Sequence, residues 1–319
     1  MDTKLTVSTS PHVHSEFTTR SIMGMVIFAL VPAGIMGVYF LGLRSLGVIA
    51  ACILACVASE WCWQKCVMHT KSTICDLSAV VTGLLLAYNL PPSIPIWMAV
   101  VGSVFAIIVV KQFYGGIGCN IVNPALAARA MMLISWPSAM TTWTINGMTG
   151  PTPLAAMKAG TTAGIPSICD LLMGNMAGCI GETSSLLLIM GGAYLVWEGV
   201  ISARIPLTYI LSTAILSALF NHGGGMFPIH EMLTGGLLIG AIFMATDYTT
   251  SPMSEKGQYI YAAGCALLTA LIRTWGGYPE GVSFSILIMN IAVPLIDQYT
   301  TPRVFGAPKN GYFKRTGGK

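Results

Sequence analysis

Long apolar runs separated by short polar stops set the pattern of this chain. A bilayer-spanning helix needs about 20 mostly apolar residues. Ten intervals fit that pattern: 22–43, 45–68, 74–90, 95–113, 123–136, 184–202, 206–221, 230–247, 257–275 and 282–299. The third, fifth and seventh are short for a full crossing, so they are expected to be tilted, broken or buried in the bundle. The first twenty residues are polar, and the apolar run after them lacks a small-residue cleavage site. No cleaved signal peptide is expected.

One long polar interval, 137–183, rich in Gly, Pro, Thr and Ser, divides five segments from five. The flanking halves echo each other. TGLLLAYNLPPS (82–93) resembles IGAIFMATDYTTS (239–251), and KQFYGGIG (111–118) resembles RTWGGYPEG (273–281). Five segments on each side of the interval place the two halves in opposite orientations. The expected fold class is therefore an all-α polytopic membrane protein of about ten transmembrane helices, built as two inverted five-helix repeats. Its parts are a first repeat at 1–136, an extracytoplasmic loop at 137–183, and a second repeat with a basic tail at 184–319. In such proteins, helix breaks meet near the midplane and line a cavity. Gly83, Gly240 and Asp247 lie at the related breaks and are expected to border a buried ligand.

Composition strengthens the membrane reading. Of 319 residues, 54% are hydrophobic and 9% charged, and the mean hydropathy is +0.73. A soluble domain carries about 25% charged residues. The net charge of +4 is small and scattered, which argues against a nucleic-acid partner. Lys and Arg are distributed unevenly. With ten spans, one side holds Lys4, Arg20, Lys65, Lys71, Lys111, Arg204, Lys256, Arg303, Lys309, Lys314, Arg315 and Lys319, and the other only Arg44, Lys158 and Arg273. Both termini are therefore expected in the cytoplasm and the 137–183 loop outside.

Ionisable groups at membrane depth are Glu60, Asp76, Lys111, Arg129, Glu198, Asp247, Arg273 and Glu280. Most can snorkel from helix ends. Asp247 stands out, because no charged residue occurs from Met232 to Thr246 and it sits at a break. The nine cysteines form no C-x-x-C run, and small apolar packing residues are their simplest role. Glycine pairs at 115–116, 235–236 and 276–277 permit positive φ or close approach. No strand-to-helix setting supports a dinucleotide fingerprint.

Within the polar interval, NGMTGPTPL (146–154) places Thr152 between two prolines. Pro153 favours an extended Thr152. The expectation is that Thr152 stays out of any helix and presents its hydroxyl from an extended strip, available to a modifying enzyme.

Long stretches resemble the family of Rnf complex D subunits and, more distantly, the B subunits of the Na⁺-translocating NADH:quinone reductase. They include SPHVHSEFTTRSIMGMVIFALVPAGIMGVYFLG, VVTGLLLAYNLPPSIPIWMAVVGSVFAIIVVKQFYGGIGCNIVNPALAARAMMLISWP, LTGGLLIGAIFMATD and IRTWGGYPEGVSFSILIMNIAVPLIDQYTTPRVFG. The family carries FMN by a phosphoester on a threonine in a Ser/Thr-Gly-Ala-Thr motif followed by Pro-Leu. Here Thr149-Gly150-Pro151-Thr152-Pro153-Leu154 matches, with Pro151 in place of Ala, so the resemblance implies covalent FMN on Thr152. It also implies a noncovalent riboflavin among the helices, near Gly83, Gly240 and Asp247, and a urea-transporter-like fold.

The implied function is a flavin-carrying electron-transfer subunit in the bacterial cytoplasmic membrane. It would couple electron transfer between ferredoxin and NAD⁺ to Na⁺ or H⁺ translocation. Its partners would be the A, B, C, E and G subunits of the Rnf complex and, during maturation, a flavin transferase. With no nucleotide-binding domain or iron–sulfur motif visible, the chain would not run that reaction alone. A stand-alone channel or transporter for a small polar solute is the rival reading. It explains the repeat and the breaks but leaves the threonine motif unexplained.

Overall fold

The computed structural model describes residues 17–69, 72–145, 148–150, 152–158, 166–174, 176–220, 227–277 and 280–300. Helix occurs in all ten apolar intervals. The first half holds α1 (Thr19–Leu41), α2 (Leu43–Cys62), α3 (Ser78–Tyr88), α4 (Ile96–Phe105) and α5 (Pro124–Ser135). The polar interval carries three short helices: α6 (Pro137–Met140), α7 (Pro153–Lys158) and α8 (Ile168–Met173). Then follow α9 (Ser185–Trp197), α10 (Arg204–Phe220), α11 (Phe227–Leu233), α12 (Leu237–Ile239), α13 (Glu255–Trp275) and α14 (Val282–Thr300). Among the described residues, the only β structure is the two-residue antiparallel pair Thr144–Ile145 with Met148–Thr149.

Among the described residues, three helices are long and apolar enough to cross a bilayer: Thr19–Leu41, Leu43–Val67 and Val282–Thr300. The third and fifth intervals hold only 11 and 12 helical residues, as their short apolar runs require. Helix α3 stops where Pro91 and Pro92 remove backbone donors. Helix α5 starts with Pro124 in its first turn, and the Asn123 side chain caps it by accepting from the Ala125 and Leu126 amides. Among the described residues, three segments widen into π-helical turns: Trp63–Val67, Ala106–Gln112 and Gly240–Met244. Such turns shift side chains out of the regular helical register and cluster at functional sites.

Helix α2 packs on α3, and α13 packs on both α10 and α14. Large apolar side chains such as Ile35, Leu54, Leu211 and Ile291 remain exposed, as a lipid-facing surface requires. The breaks after α3 and α12 meet in the interior. The Asn89 side chain donates to Leu85 O at 2.7 Å and lies 3.6 Å from Met244 Sδ. Asn123 Nδ2 donates to Met244 O at 3.3 Å. The Met244 carbonyl at the end of the π turn thus finds a side-chain donor.

All nine cysteines are free thiols. Cys52, Cys56, Cys179 and Cys265 are buried, while Cys62, Cys66, Cys75, Cys119 and Cys169 are exposed. The packing role therefore fits only the first group.

Candidate functional site: an interior cavity and two buried charge clusters

A cavity of about 360 Å³ lies between the face of α3 from Ser78 to Leu85 and the segment from Ile242 to Thr249. Its polar end is formed by Asn120, Asn123, Asp247 and Thr249, and apolar walls come from side chains such as Val81 and Phe243. Asp247 Oδ2 accepts from Thr249 Oγ1 at 3.2 Å, Thr250 Oγ1 at 3.3 Å and Asn120 Nδ2 at 3.5 Å. Thr249 Oγ1 also donates to Asn120 Oδ1 at 3.0 Å. Pockets of roughly 300–1,000 Å³, mostly apolar with a few convergent polar groups, suit small organic ligands.

Asp247 lines the cavity, whereas Gly83 and Gly240 do not. A Cβ at Gly83 would stand 2.8 Å from Ile53 Cα, and one at Gly240 would run into Val282. These glycines let helices approach closely. Their neighbours Thr82 and Ile242 are the ones that face the space. The echo marked stretches that run just past the end of α3 at Tyr88 and of the π turn at Met244. It could not separate a glycine that admits a helix from one that admits a ligand.

Lys111 and Ser78 border the same cavity and lead to a buried ion pair. Lys111 Nζ lies 3.0 Å from the Glu60 carboxylate and 2.8 Å from Ser78 Oγ. Gln112 Nε2 donates to Glu60 Oε1 at 2.9 Å, and Gln64 Nε2 does so at 3.3 Å. Two of the three π turns supply Gln64, Lys111 and Gln112. Glu60 and Lys111 therefore do not snorkel; they satisfy each other in the interior, as intramembrane charges must.

A second charged cluster lies at the junction of the halves. Arg129 reaches from α5 to Glu280 and to Ser283 at the start of α14. Its Nη2 also stands 3.7 Å from Cys179 Sγ. Glu182, on the turn Ile180–Glu182 outside the spanning helices, is only 6% exposed. Burial, reinforced by the charge of Glu280, pushes the Glu182 carboxyl up to about 8, with Arg129 opposing the rise. Arg273 is buried nearby and donates to the carbonyls of Glu231, Thr234 and Gly235. Glu182 and Glu231 were not singled out from the sequence. Glu182 belongs to a polar interval where a carboxylate is ordinarily solvated, and only the fold reveals its burial.

Thr152 requires a correction. It does not present its hydroxyl from an extended strip; it caps α7. Its Oγ1 accepts from the Ala155 amide at 3.1 Å, its carbonyl accepts from the Ala156 amide at 3.0 Å, and the residue is 4% exposed. The extended conformation imposed by Pro153 is the backbone shape of an N-cap, and proline is favoured as the first helical residue. The same two prolines therefore start a helix rather than exclude one. The side chain of Thr149 lies outside the described residues. Helix α7 is held by Leu154 against Gly235 and by Lys158, which donates to Gly276 O.

The chain is similar to known proteins along nearly its whole length. The model of the NQR2, RnfD, RnfE family matches residues 6–306. The D subunit of the Na⁺-translocating ferredoxin:NAD⁺ oxidoreductase complex of Acetobacterium woodii is 51% identical over 311 residues, covering 96% of each chain. The D subunit of the proton-translocating ferredoxin:NAD⁺ oxidoreductase complex of Clostridium ljungdahlii is 44% identical, covering 94% of this chain and 96% of its own. The D subunit of the ion-translocating oxidoreductase complex of Stutzerimonas stutzeri is 38% identical, covering 91% and 93% respectively.

Proposed function

The chain belongs to the NQR2, RnfD, RnfE family, and on that premise we propose that it is the flavin-carrying electron-transfer subunit of an Rnf complex. In this reading it works in the bacterial cytoplasmic membrane as two inverted five-helix repeats. Both termini are cytoplasmic, and the 137–183 loop faces outward. The complex, with its A, B, C, E and G subunits, couples electron flow between ferredoxin and NAD⁺ to outward movement of Na⁺ or H⁺. The observation that carries the reading is the family match along nearly the whole chain, together with the Thr149–Leu154 motif.

Two flavins belong to the proposal. Riboflavin takes the interior cavity, whose dimensions and mixed lining fit a ring with apolar faces and a hydrogen-bonding edge. Asn120, Asn123 and Thr249 offer donors and acceptors to that edge, and the apolar walls exclude water from its faces. The Asp247 carboxylate accepts from an N–H at the rim or holds Thr249 and Asn120 in position. FMN is attached through its phosphate to Thr152 Oγ1 by a flavin transferase. Bound flavin supplies the one- and two-electron chemistry, and the protein sets its position, dielectric and hydrogen bonds. Because Thr152 is capped and buried, attachment requires α7 to open. A threonine hydroxyl is a weak nucleophile, so the transfer needs the enzyme and a metal ion.

In-gel fluorescence of the denatured protein tests the reading. A fluorescent band that survives denaturation supports a covalent flavin. A dark band from protein made together with an active transferase would overturn it and favour a plain transporter.

A further inference from the structure

We propose that Glu182 and Glu280 form a proton-binding site buried at the junction of the two halves, holding one exchangeable proton between them. This assignment rests on the chain's own charges and geometry and is independent of either flavin. One oxygen of each carboxylate and Cys179 Sγ all lie within 4.8 Å of one another, and all three residues are buried. Carboxylates so close in a low-dielectric interior cannot both stay ionised unless cations compensate both. The available cation is committed elsewhere. Arg129 directs Nη2 to Glu280 and to the Cys179 sulfur, and Nη1 to Ser283; its Nε finds no acceptor. Glu182 instead rests against Cys179, whose thiol donates to Asn89 O at 3.4 Å.

The surrounding elements do not restore the balance. From α13, Arg273 spends its Nη donors on backbone carbonyls. From α11 come His230 and Glu231, the latter engaged with Ser217. Within the cluster itself, the single guanidinium of Arg129 stands against the two carboxylates of Glu182 and Glu280. One proton makes it neutral. Lys158 on α7 is exposed and screened by solvent. A metal ion fits the cluster poorly, because the Arg129 guanidinium already contacts two of the three ligand groups, Glu280 and Cys179, and would repel it.

The local backbone is shaped around Glu182. A Cβ at Gly178 would lie 2.9 Å from its Oε2, and one at Gly236 2.9 Å from its Oε1. The adjacent Gly235 supports Leu154 of α7. A single two-glycine turn thus separates the site from the helix capped by Thr152.

Infrared spectroscopy of the purified complex tests the site. With carboxyl-labelled glutamate, wild type is expected to show a deuterium-sensitive protonated-glutamate C=O band that fades as pH is raised through about 8. Glu182→Gln and Glu280→Gln should each abolish it, because either change leaves the other carboxylate alone with Arg129. Cys179→Ser should retain it. Absence of the band in wild type overturns the proposal, and so does its persistence in both glutamine variants. Stoichiometric metal in the wild type, lost in both variants, would also overturn it. Should the variants fail to assemble, the wild-type band and its pH course still decide.

Discussion

At the scale of single residues, buried charge is the feature with the sharpest consequences. Glu60 and Lys111 compensate each other at 3.0 Å, and both are almost wholly buried. Lys111→Met strands the Glu60 carboxylate, so a loss of about 3–5 kcal/mol is expected. Glu60→Gln combined with Lys111→Met should cost less than the single change, because no charge is left alone; thermal unfolding in detergent would compare them. Asp247→Ala should lower the noncovalent flavin that co-purifies, since it removes the group organising Asn120 and Thr249, while labelling at Thr152 persists. Extraction of flavin from the folded protein measures it, and unchanged flavin content would sink the cavity assignment. Asp247 was legible in the sequence because it ends a long uncharged run at a break. The cluster of Glu182 with Arg129 was not, because nothing local marks a loop carboxylate as buried.

At the scale of elements, apolar run length was an accurate guide to helix location, including the short α3 and α5. The π turns were invisible to it. Two of them bring Gln64, Lys111 and Gln112 to Glu60, a convergence that no local pattern encodes. Glycines at the breaks were read as ligand-facing, yet Gly83 brings α3 against Ile53 of α2. Gly83→Val should therefore destabilise the fold by about 1–3 kcal/mol through overpacking. Thermal unfolding should reveal that loss, with flavin per folded molecule unchanged. In α7, the proline that suggested an exposed strip instead begins a capped turn. The N-terminal preference of proline was the available signal.

At the scale of the whole molecule, the uneven Lys and Arg distribution carries the proposed orientation. A reporter fused after Lys319, which lies outside the described residues, should read cytoplasmic, and one inserted beside Lys158 should read external; the same side for both would contradict ten spans. The family followed from long stretches of sequence, whereas a contact such as that of Asn89 with Met244 joins segments far apart in the chain, which only the fold brings together. The central claim is that this membrane subunit carries flavin on its outer loop. Peptide mass spectrometry of the 137–183 loop, from protein matured with its flavin transferase, tests it most directly. The expected result is the mass of FMN on Thr152, lost completely in Thr152→Val and largely kept in Thr149→Val. FMN on Thr149 alone, or on no peptide of the loop, would contradict the account.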